Sequence, residues 1–472
     1  MVDQSSTAPD RGSYGHDPRA VPACHPALSD PRLVGVVTPW HRKKSVQIAA
    51  TVIIVVFMAL CALALLLLLG STLGAGVLTF AVIAAFIPVP ILVMALLWLD
   101  RYEPEPWHYL AFTFGWGAFV ATLAALIINT TGSELVKRIS GQDATVTTAI
   151  LIAPPTEEIA KAIPLFLLLV LAMLGRRAIH GVIDGIVYAG IVAIGFAFTE
   201  NVLYFGGAYS EAAKEGGDAA GVVALLATFV VRAVMSPFAH PLFTCLTGIG
   251  VGLAVRSNKH SVRVLAPFGG LMLAILLHAV WNAAASTADW RVLLVSYLVV
   301  VLPLLIGLIW LAIWLRTKEA NVVGRLLPPY VAHGWLTTQD LASLATVTSR
   351  SSARSAARAY GGGDAAKAMQ EFQLAATKLA LLRQSLLRGW GEQDYSKQEL
   401  ELLGVIASRR YYLSSAAARW SAYHAYNRQY WGWPLLGGGY HGAHVQRGAQ
   451  LQHADPHYDR RPENARPPGG TP

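Results

Sequence analysis

ILIAPPTEEIAKAIPLFLLLVLAML, residues 150–174, wraps an apolar run of membrane length around three charged side chains, Glu157, Glu158 and Lys161. About 20 mostly apolar residues in one helix cross a bilayer. Seven further runs of this kind lie around it, at roughly 46–69, 76–99, 108–128, 182–205, 221–255, 264–286 and 291–315, and the quoted one occupies about 147–174. The fold this predicts is all-α: a polytopic membrane helix bundle of about eight transmembrane helices, followed by a small helical cytosolic C-terminal region. The run 221–255 is too long for one straight span. Pro237 in its middle predicts a kink, a break or a re-entrant piece.

Composition supports the membrane class. Hydrophobic residues make up 54% of the 472 and charged residues 14%, against about 25% charged in ordinary soluble domains. Mean hydropathy is +0.46. The net charge of +9 does not imply nucleic acid, because the basic residues sit beside apolar runs, where they set topology and meet anionic lipid. With the N-terminus in the cytosol, the inner segments hold Arg42, Lys43, Lys44, Arg101, Arg176, Arg177, Arg256, Lys259, Arg263, Arg316 and Lys318. The outer loops hold only Lys137, Arg138, Lys214 and Arg291. That bias predicts both termini on the cytoplasmic side. Cys24, Cys61 and Cys245 are scattered and form no CxxC, so neither a disulfide framework nor a thiolate metal site is expected.

The ends differ from the middle. Residues 1–44 are polar, lack the apolar run of a signal peptide, and read as a disordered cytosolic tail. The membrane domain is expected over 45–316 and a cytosolic helical region over 317–436. In the latter, Ala368, Phe372, Ala375, Leu379, Leu382 and Leu386 follow the spacing of an amphipathic helix. A second helix is expected at about 396–432 after the polar GEQDYS turn. Its Trp420, Tyr423, Tyr426, Tyr430 and Trp431 suit either packing on the first helix or a membrane interface. Residues 437–472, rich in Gly, His, Pro and Arg, read as disordered.

Ionisable groups inside a span cost about 2.5–3.5 kcal/mol each on insertion scales, so they need partners or a wet cavity. Glu157 and Lys161 stand i,i+4 and can pair, which would leave Glu158 without a local partner. Asp184 and the Glu200–Asn201 pair mark the two ends of the fifth span. Asp184, Tyr188, Gly195 and Thr199 fall within about 60° of one another on that helix. The sixth run carries Arg232 and His240. The seventh carries His278 and Asn282, one turn apart. Counting 1.5 Å per residue, the glutamate pair and His278 lie within roughly 5 Å of one plane, with His240 near it.

Two carboxylates and two histidines at one depth suit hydrolysis. Glu158, His240 and His278 could hold a divalent metal, with Zn²⁺ favoured by such ligands and a position left for water. Equally, a glutamate could act on water without metal while the histidines and Asn282 stabilise an oxyanion.

In order along the chain, WLDRYEPEP (Trp98–Pro106), PTEEIAK, GVIDGIVYAGIVAIGFAFTEN, RAVMSPFAHPLFTCLTGIGVG and LHAVWN resemble the PrsW family of bacterial membrane proteases. That family sits in the wider group of type II CAAX prenyl proteases and the Aph-1 subunit of γ-secretase. The resemblance covers about 97–285. It implies Glu157, Glu158, His240 and His278 as active-site groups, supported by Lys161, Glu200, Asn201, Arg232 and Asn282. Asp184 joins the supporting set from the stripe on the fifth span. Against the CAAX motifs, Lys161 follows the glutamates more closely than their Arg does. Ser236 also stands where they have Phe four before the histidine, while His278-x-x-x-Asn282 matches. The implied activity is endoproteolysis, in the bacterial cell membrane, of a single-span protein such as a membrane-anchored anti-sigma factor under envelope stress. The residues alone also permit a non-catalytic scaffold that binds a transmembrane segment, or an ion-coupled transporter. No inverted repeat supports the latter.

Overall fold

The computed structural model describes residues 41–100, 105–173, 179–387 and 395–431, less the side chains of 41–47, 49–50, 319–321, 385 and 418–431. The expected tail 437–472 lies outside these residues. So do Arg101, Arg176 and Arg177, four residues of the GEQDYS turn, and the aromatic side chains from Trp420 to Trp431. Of the expected tail 1–44, only the last four residues are described, and they are helical.

The described chain is helical throughout. In order come α1 (His41–Phe86), α2 (Pro88–Asp100), α3 (Trp107–Gly115), α4 (Thr122–Ser140), α5 (Thr145–Thr147), α6 (Ala153–Met173), α7 (Val182–Phe229), α8 (Ala239–Arg256), α9 (His260–Ser286), α10 (Trp290–Ser296), α11 (Leu302–Leu326), α12 (Pro328–Ala332), α13 (Thr338–Leu344), α14 (Val347–Leu387) and α15 (Tyr395–Trp431). Wide π turns bridge α3 to α4, α5 to α6, α7 toward α8, and α10 to α11.

Among the described residues, five helical runs are long and apolar enough to cross a membrane: Thr51–Asp100, Trp107–Ser140, Val182–Arg256, His260–Ser286 and Trp290–Ala332. The expected number of eight is not reached by that measure, for two physical reasons. First, α1 and α7 each double back, at Gly74 (φ 73°) and Gly217 (φ 71°), where only glycine turns the chain without strain. Leu69 thereby packs with Ala81 and Ala85 across the first bend, and Phe205 meets Phe229 across the second. Second, α6 carries Glu157, Glu158 and Lys161 within its apolar length.

The return arm after Gly217 settles the long sixth run. It descends beside its own helix, with Tyr209 donating to Asp218 Oδ1 at 2.9 Å, and breaks at Ser236–Phe238 around Pro237. It then continues as α8 in the same direction, from His240 beside Glu200 down to Gly252 against Val182. The run is therefore one path broken at the proline, antiparallel to the first arm of α7.

Close helix approach is built on glycine. A Cβ on Gly185 would lie 2.1 Å from the Gly248 carbonyl oxygen, and one on Gly195 would lie 2.1 Å from that of Phe114. On Gly250 it would lie 2.2 Å from the Ala266 oxygen, and on Gly270 2.3 Å from that of Leu246. Lipid gives helices no hydrophobic drive to associate, so backbone-level fit of small residues does that work. These contacts stack α7, α8, α9 and α3 tightly enough for short polar side chains to meet.

Toward the C-terminus, α11 runs unbroken through residue 316, and its Val322 and Val323 join a second core. Tyr330, Leu344, Phe372, Leu379, Leu403 and Ile406 complete its centre. The amphipathic face of α14 supplies Ala368, Phe372, Ala375, Leu379 and Leu382, all buried. The chain divides at Ala416 into two compact units.

Gly185→Ala is expected to destabilise the protein by about 1–3 kcal/mol, as overpacking does. Gly307, mid-helix with open space where a Cβ would stand, should tolerate alanine without loss. Melting in detergent compares the two variants, and equal melting temperatures would contradict the packing described.

Candidate active site

Four helices bring their polar residues to one place. α6 supplies Glu157, Glu158 and Lys161, α7 supplies Glu200 and Asn201, α8 supplies His240 and Thr244, and α9 supplies His278. Lys161 and Glu158 are 0% exposed, and His278 is 2% exposed.

Glu158 has three close partners. Its Oε1 accepts from Lys161 Nζ at 2.9 Å and faces His278 Nδ1 at 3.0 Å, while Oε2 accepts from Thr244 Oγ1 at 2.8 Å. Lys161 thus pairs most closely with Glu158, not with Glu157 as its i,i+4 spacing suggests. Glu157 lies at 3.6 Å from the ammonium. The reason is rotational: on α6, Glu158 points at α8 and α9, where it gains two further partners.

Glu157 is the less committed carboxylate. Its Oε1 is 3.5 Å from Asn129 Nδ2 on α4, and its Oε2 is buried and makes no hydrogen bond. That oxygen faces His278 Nε2 at 3.8 Å. The imidazoles of His240 and His278 meet edge to face, 5.1 Å between centroids. Phe243 stacks on His278 at 5.6 Å, and Phe196 lies 5.5 Å from His240.

The tautomers follow from the partners. A carboxylate only accepts, so His278 carries its proton on Nδ1, toward Glu158, and its Nε2 lone pair faces Glu157. His240 Nε2 lies 2.7 Å from Glu200 Oε2, which places the proton there. Its Nδ1 lone pair then accepts from Lys161 Nζ at 3.0 Å. Both lone pairs point into the site. Each imidazole is oriented by a carboxylate on its far side, the arrangement that commonly backs metal-ligating histidines.

Glu157, His240 and His278 each offer a ligand atom, and these atoms lie within 4.8 Å of one another. Two imidazole lone pairs and a carboxylate oxygen are donor types that fit a divalent metal such as zinc, with a fourth position left for water, although Lys161 here donates to one of them, His240 Nδ1. The carboxylate in this set is Glu157, whereas the ligand set expected from sequence contains Glu158. Glu158 is already engaged by three partners.

The supporting residues divide. Glu200 pairs with Arg232, whose Nε donates to Asn201 Oδ1 at 2.7 Å and whose guanidinium lies 3.9 Å over the Tyr204 ring. Arg232, Glu200 and His240 are only partly buried, and Tyr204 is 50% exposed, so this side of the cluster is its least covered.

Asn282 takes another part than oxyanion stabiliser: its amide donates to the Ala149 carbonyl at 2.9 Å. The wide turn ahead of α6 explains this. The Ala153 N–H bonds Thr148 O, and Pro154 has no N–H, so Ala149 O has no helical donor. Asn282 fills that gap and fixes the start of the helix bearing Glu157.

Asp184 stands apart, about 24 Å from Glu200 by 16 residues of helix. It accepts from the backbone N–H of His180 at 2.6 Å and of Gly181 at 3.1 Å, which anchors the α7 N-terminus. The stripe it heads is real, but it faces helices rather than the site: Tyr188 donates to Glu105 at 2.6 Å, and Gly195 packs on α3.

Thr244, Asn129, Phe196, Tyr204 and Phe243 are not among the residues expected from sequence. Thr244 follows His240 by one helical turn and is findable as a polar residue on the same face. Asn129 is findable as a polar residue ending an apolar run. The aromatics carry no such signal.

Residues 105–308, which hold all of these groups, match the family model described as PrsW family intramembrane metalloprotease. The chain is 28% identical over 219 residues to a protein named Protease PrsW from Clostridioides difficile (strain 630), covering 45% of this chain and 84% of that protein. No solved structure matches. The match over residues 105–308 thus supports a PrsW family intramembrane protease, and with it a peptidase.

Proposed function

We propose that this protein is an endopeptidase of the bacterial cell membrane, with both termini cytoplasmic, that cleaves a single-span membrane protein at the site centred on Glu157. A membrane-anchored anti-sigma factor is the substrate that the family resemblance implies. The observation that carries the reading is the buried Glu157 Oε2, which makes no hydrogen bond and faces the His278 lone pair. A buried acceptor left open is costly, and such groups mark sites that meet a ligand or a water in use.

In the metal-free form of this reading Glu157 holds the attacking water and takes its proton, then returns it to the leaving amine. Glu158 does not react; it positions His278 and Lys161. Glu200 positions His240, and Arg232 holds Glu200 in place at the mouth. The turn at Ser236–Phe238, next to His240, interrupts the helix beside the site, where an unwound substrate segment would lie. Glu157 Oε2, His240 Nδ1 and His278 Nε2 are the atoms that would hold a metal. A zinc ion there would polarise the scissile carbonyl and acidify water. The cluster also has a charge to balance. Glu157, Glu158 and Glu200 make three negative charges against two positive ones, Lys161 and Arg232, which leaves one negative charge over when all are ionised.

Cleavage of a single-span reporter in proteoliposomes tests the assignment. Glu157→Gln is expected to lose at least about 100-fold in rate, the scale of general-base loss, with folded yield near wild type. Glu158→Gln is expected to lower folded yield as well, because it unties three helices. Should Glu157→Gln cleave normally, or should every site variant merely fail to fold, the scaffold reading takes over.

Stripping metal with a chelator is expected to stop cleavage, and zinc to restore it. Full activity after exhaustive chelation, with no metal in the purified protein, would leave Glu157 working without an ion. Asp184→Asn, far from the cluster, should leave cleavage per folded molecule unchanged while lowering thermal stability.

A further inference from the structure

Lys161 stands among the atoms that would ligate the metal. Its Nζ is 3.0 Å from His240 Nδ1, 3.6 Å from Glu157 Oε2 and 2.9 Å from Glu158 Oε1, and it lies 3.9 Å over the face of Phe196. The ring and the carboxylates make a fitted seat for a cation. His240 has only one lone pair in its assigned tautomer, and the ammonium occupies it. A metal cannot take Nδ1 while Lys161 donates to it. A dication at that place would also repel the ammonium across a few ångströms of low-dielectric interior.

Resting on the metal-dependent form of the reading above, we infer that the Lys161 ammonium is a resident cation that competes with a divalent metal for His240 Nδ1 and Glu157 Oε2, so that metal enters only as Lys161 leaves its seat. In the metal-free protein, Lys161 then keeps the buried carboxylates compensated and the pocket closed. When a metal binds, Lys161 gives up its bond to His240 while keeping the ion pair with Glu158. Lys161 is a positioning residue in this account, and its effect is read in metal affinity rather than in rate.

The experiment titrates Zn²⁺ against a competing chelator in the purified full-length protein. Lys161→Met removes the charge and keeps the length of the chain. The double variant Lys161→Met with Glu158→Gln removes the ion pair as a unit, so no lone carboxylate is left buried if the single variant folds poorly. Both are expected to hold zinc at least tenfold more tightly than wild type. Lys161→Arg, a cation that keeps its proton and fills the same seat, is expected to bind no more tightly than wild type. Unchanged or weaker zinc binding in both methionine variants, each shown to be folded, overturns the inference. Reporter cleavage by wild type, measured on the same preparations, stands or falls separately, so loss of the competition idea is not mistaken for loss of the protease reading.

Discussion

A carboxylate buried in lipid must be bonded on every side, and Glu158 is. Lys161 from its own helix, Thr244 from α8 and His278 from α9 close around it at 2.8–3.0 Å. Charge-assisted bonds of this kind are the strong ones, and a dry surrounding strengthens them further. Removing one partner of such a buried group costs about 3–5 kcal/mol, because the charge is left behind. Glu158 therefore acts as a clasp for three helices. It also sets the chemistry beside it: it fixes the His278 tautomer and draws Lys161 in. Because successive residues on a helix point about 100° apart, it leaves Glu157 facing a different sector, toward α4 and the two imidazoles.

The clasp depends on how closely the backbones lie. Thr244, Lys161 and Glu158 are reached only because α8 rests on α7 through Gly185 and Gly248, and on α9 through Gly250 and Gly270. Widening any of these crossings by a methyl group would draw short side chains out of bonding range. The wide turn before α6 serves the same end. Two prolines remove the donors that would bond the preceding carbonyls, and Asn282 reaches across from α9 to supply one. His278 and Asn282, one turn apart on α9, thus grip α6 at two levels, one at the carboxylate and one at its base.

Much of this is legible in the amino-acid sequence. Hydropathy marks every apolar run, and the proline in the longest one foretells its break. Depth along the spans places the glutamates and both histidines in one layer, and they do meet. What sequence spacing misjudges is rotation. An i,i+4 rule pairs Glu157 with Lys161, and that ion pair is present at 3.6 Å, but partners on other helices make Glu158 the closer one at 2.9 Å. Asp184 shows the same limit: its stripe is correctly drawn, but depth along the helix sets it about 24 Å from the site. The breaks between runs 46–69 and 76–99 and between 182–205 and 221–255 foretell both hairpins, but not that Gly74 and Gly217 carry the turns, because glycine is common in membrane helices and only its φ shows where the chain turns. The aromatic seat of Lys161 becomes visible only through tertiary contact.

The chemistry of the site depends on which glutamate is tied down and which is open. A side-chain-resolution cryo-EM structure of the protein in lipid nanodiscs tests this most directly. It should show Glu158 bonded to Thr244, Lys161 and His278, with Glu157 turned into the space between the imidazoles of His240 and His278. A map with Lys161 bonded to Glu157 and the Glu158 carboxylate open, or with the histidines turned away from both, would contradict it.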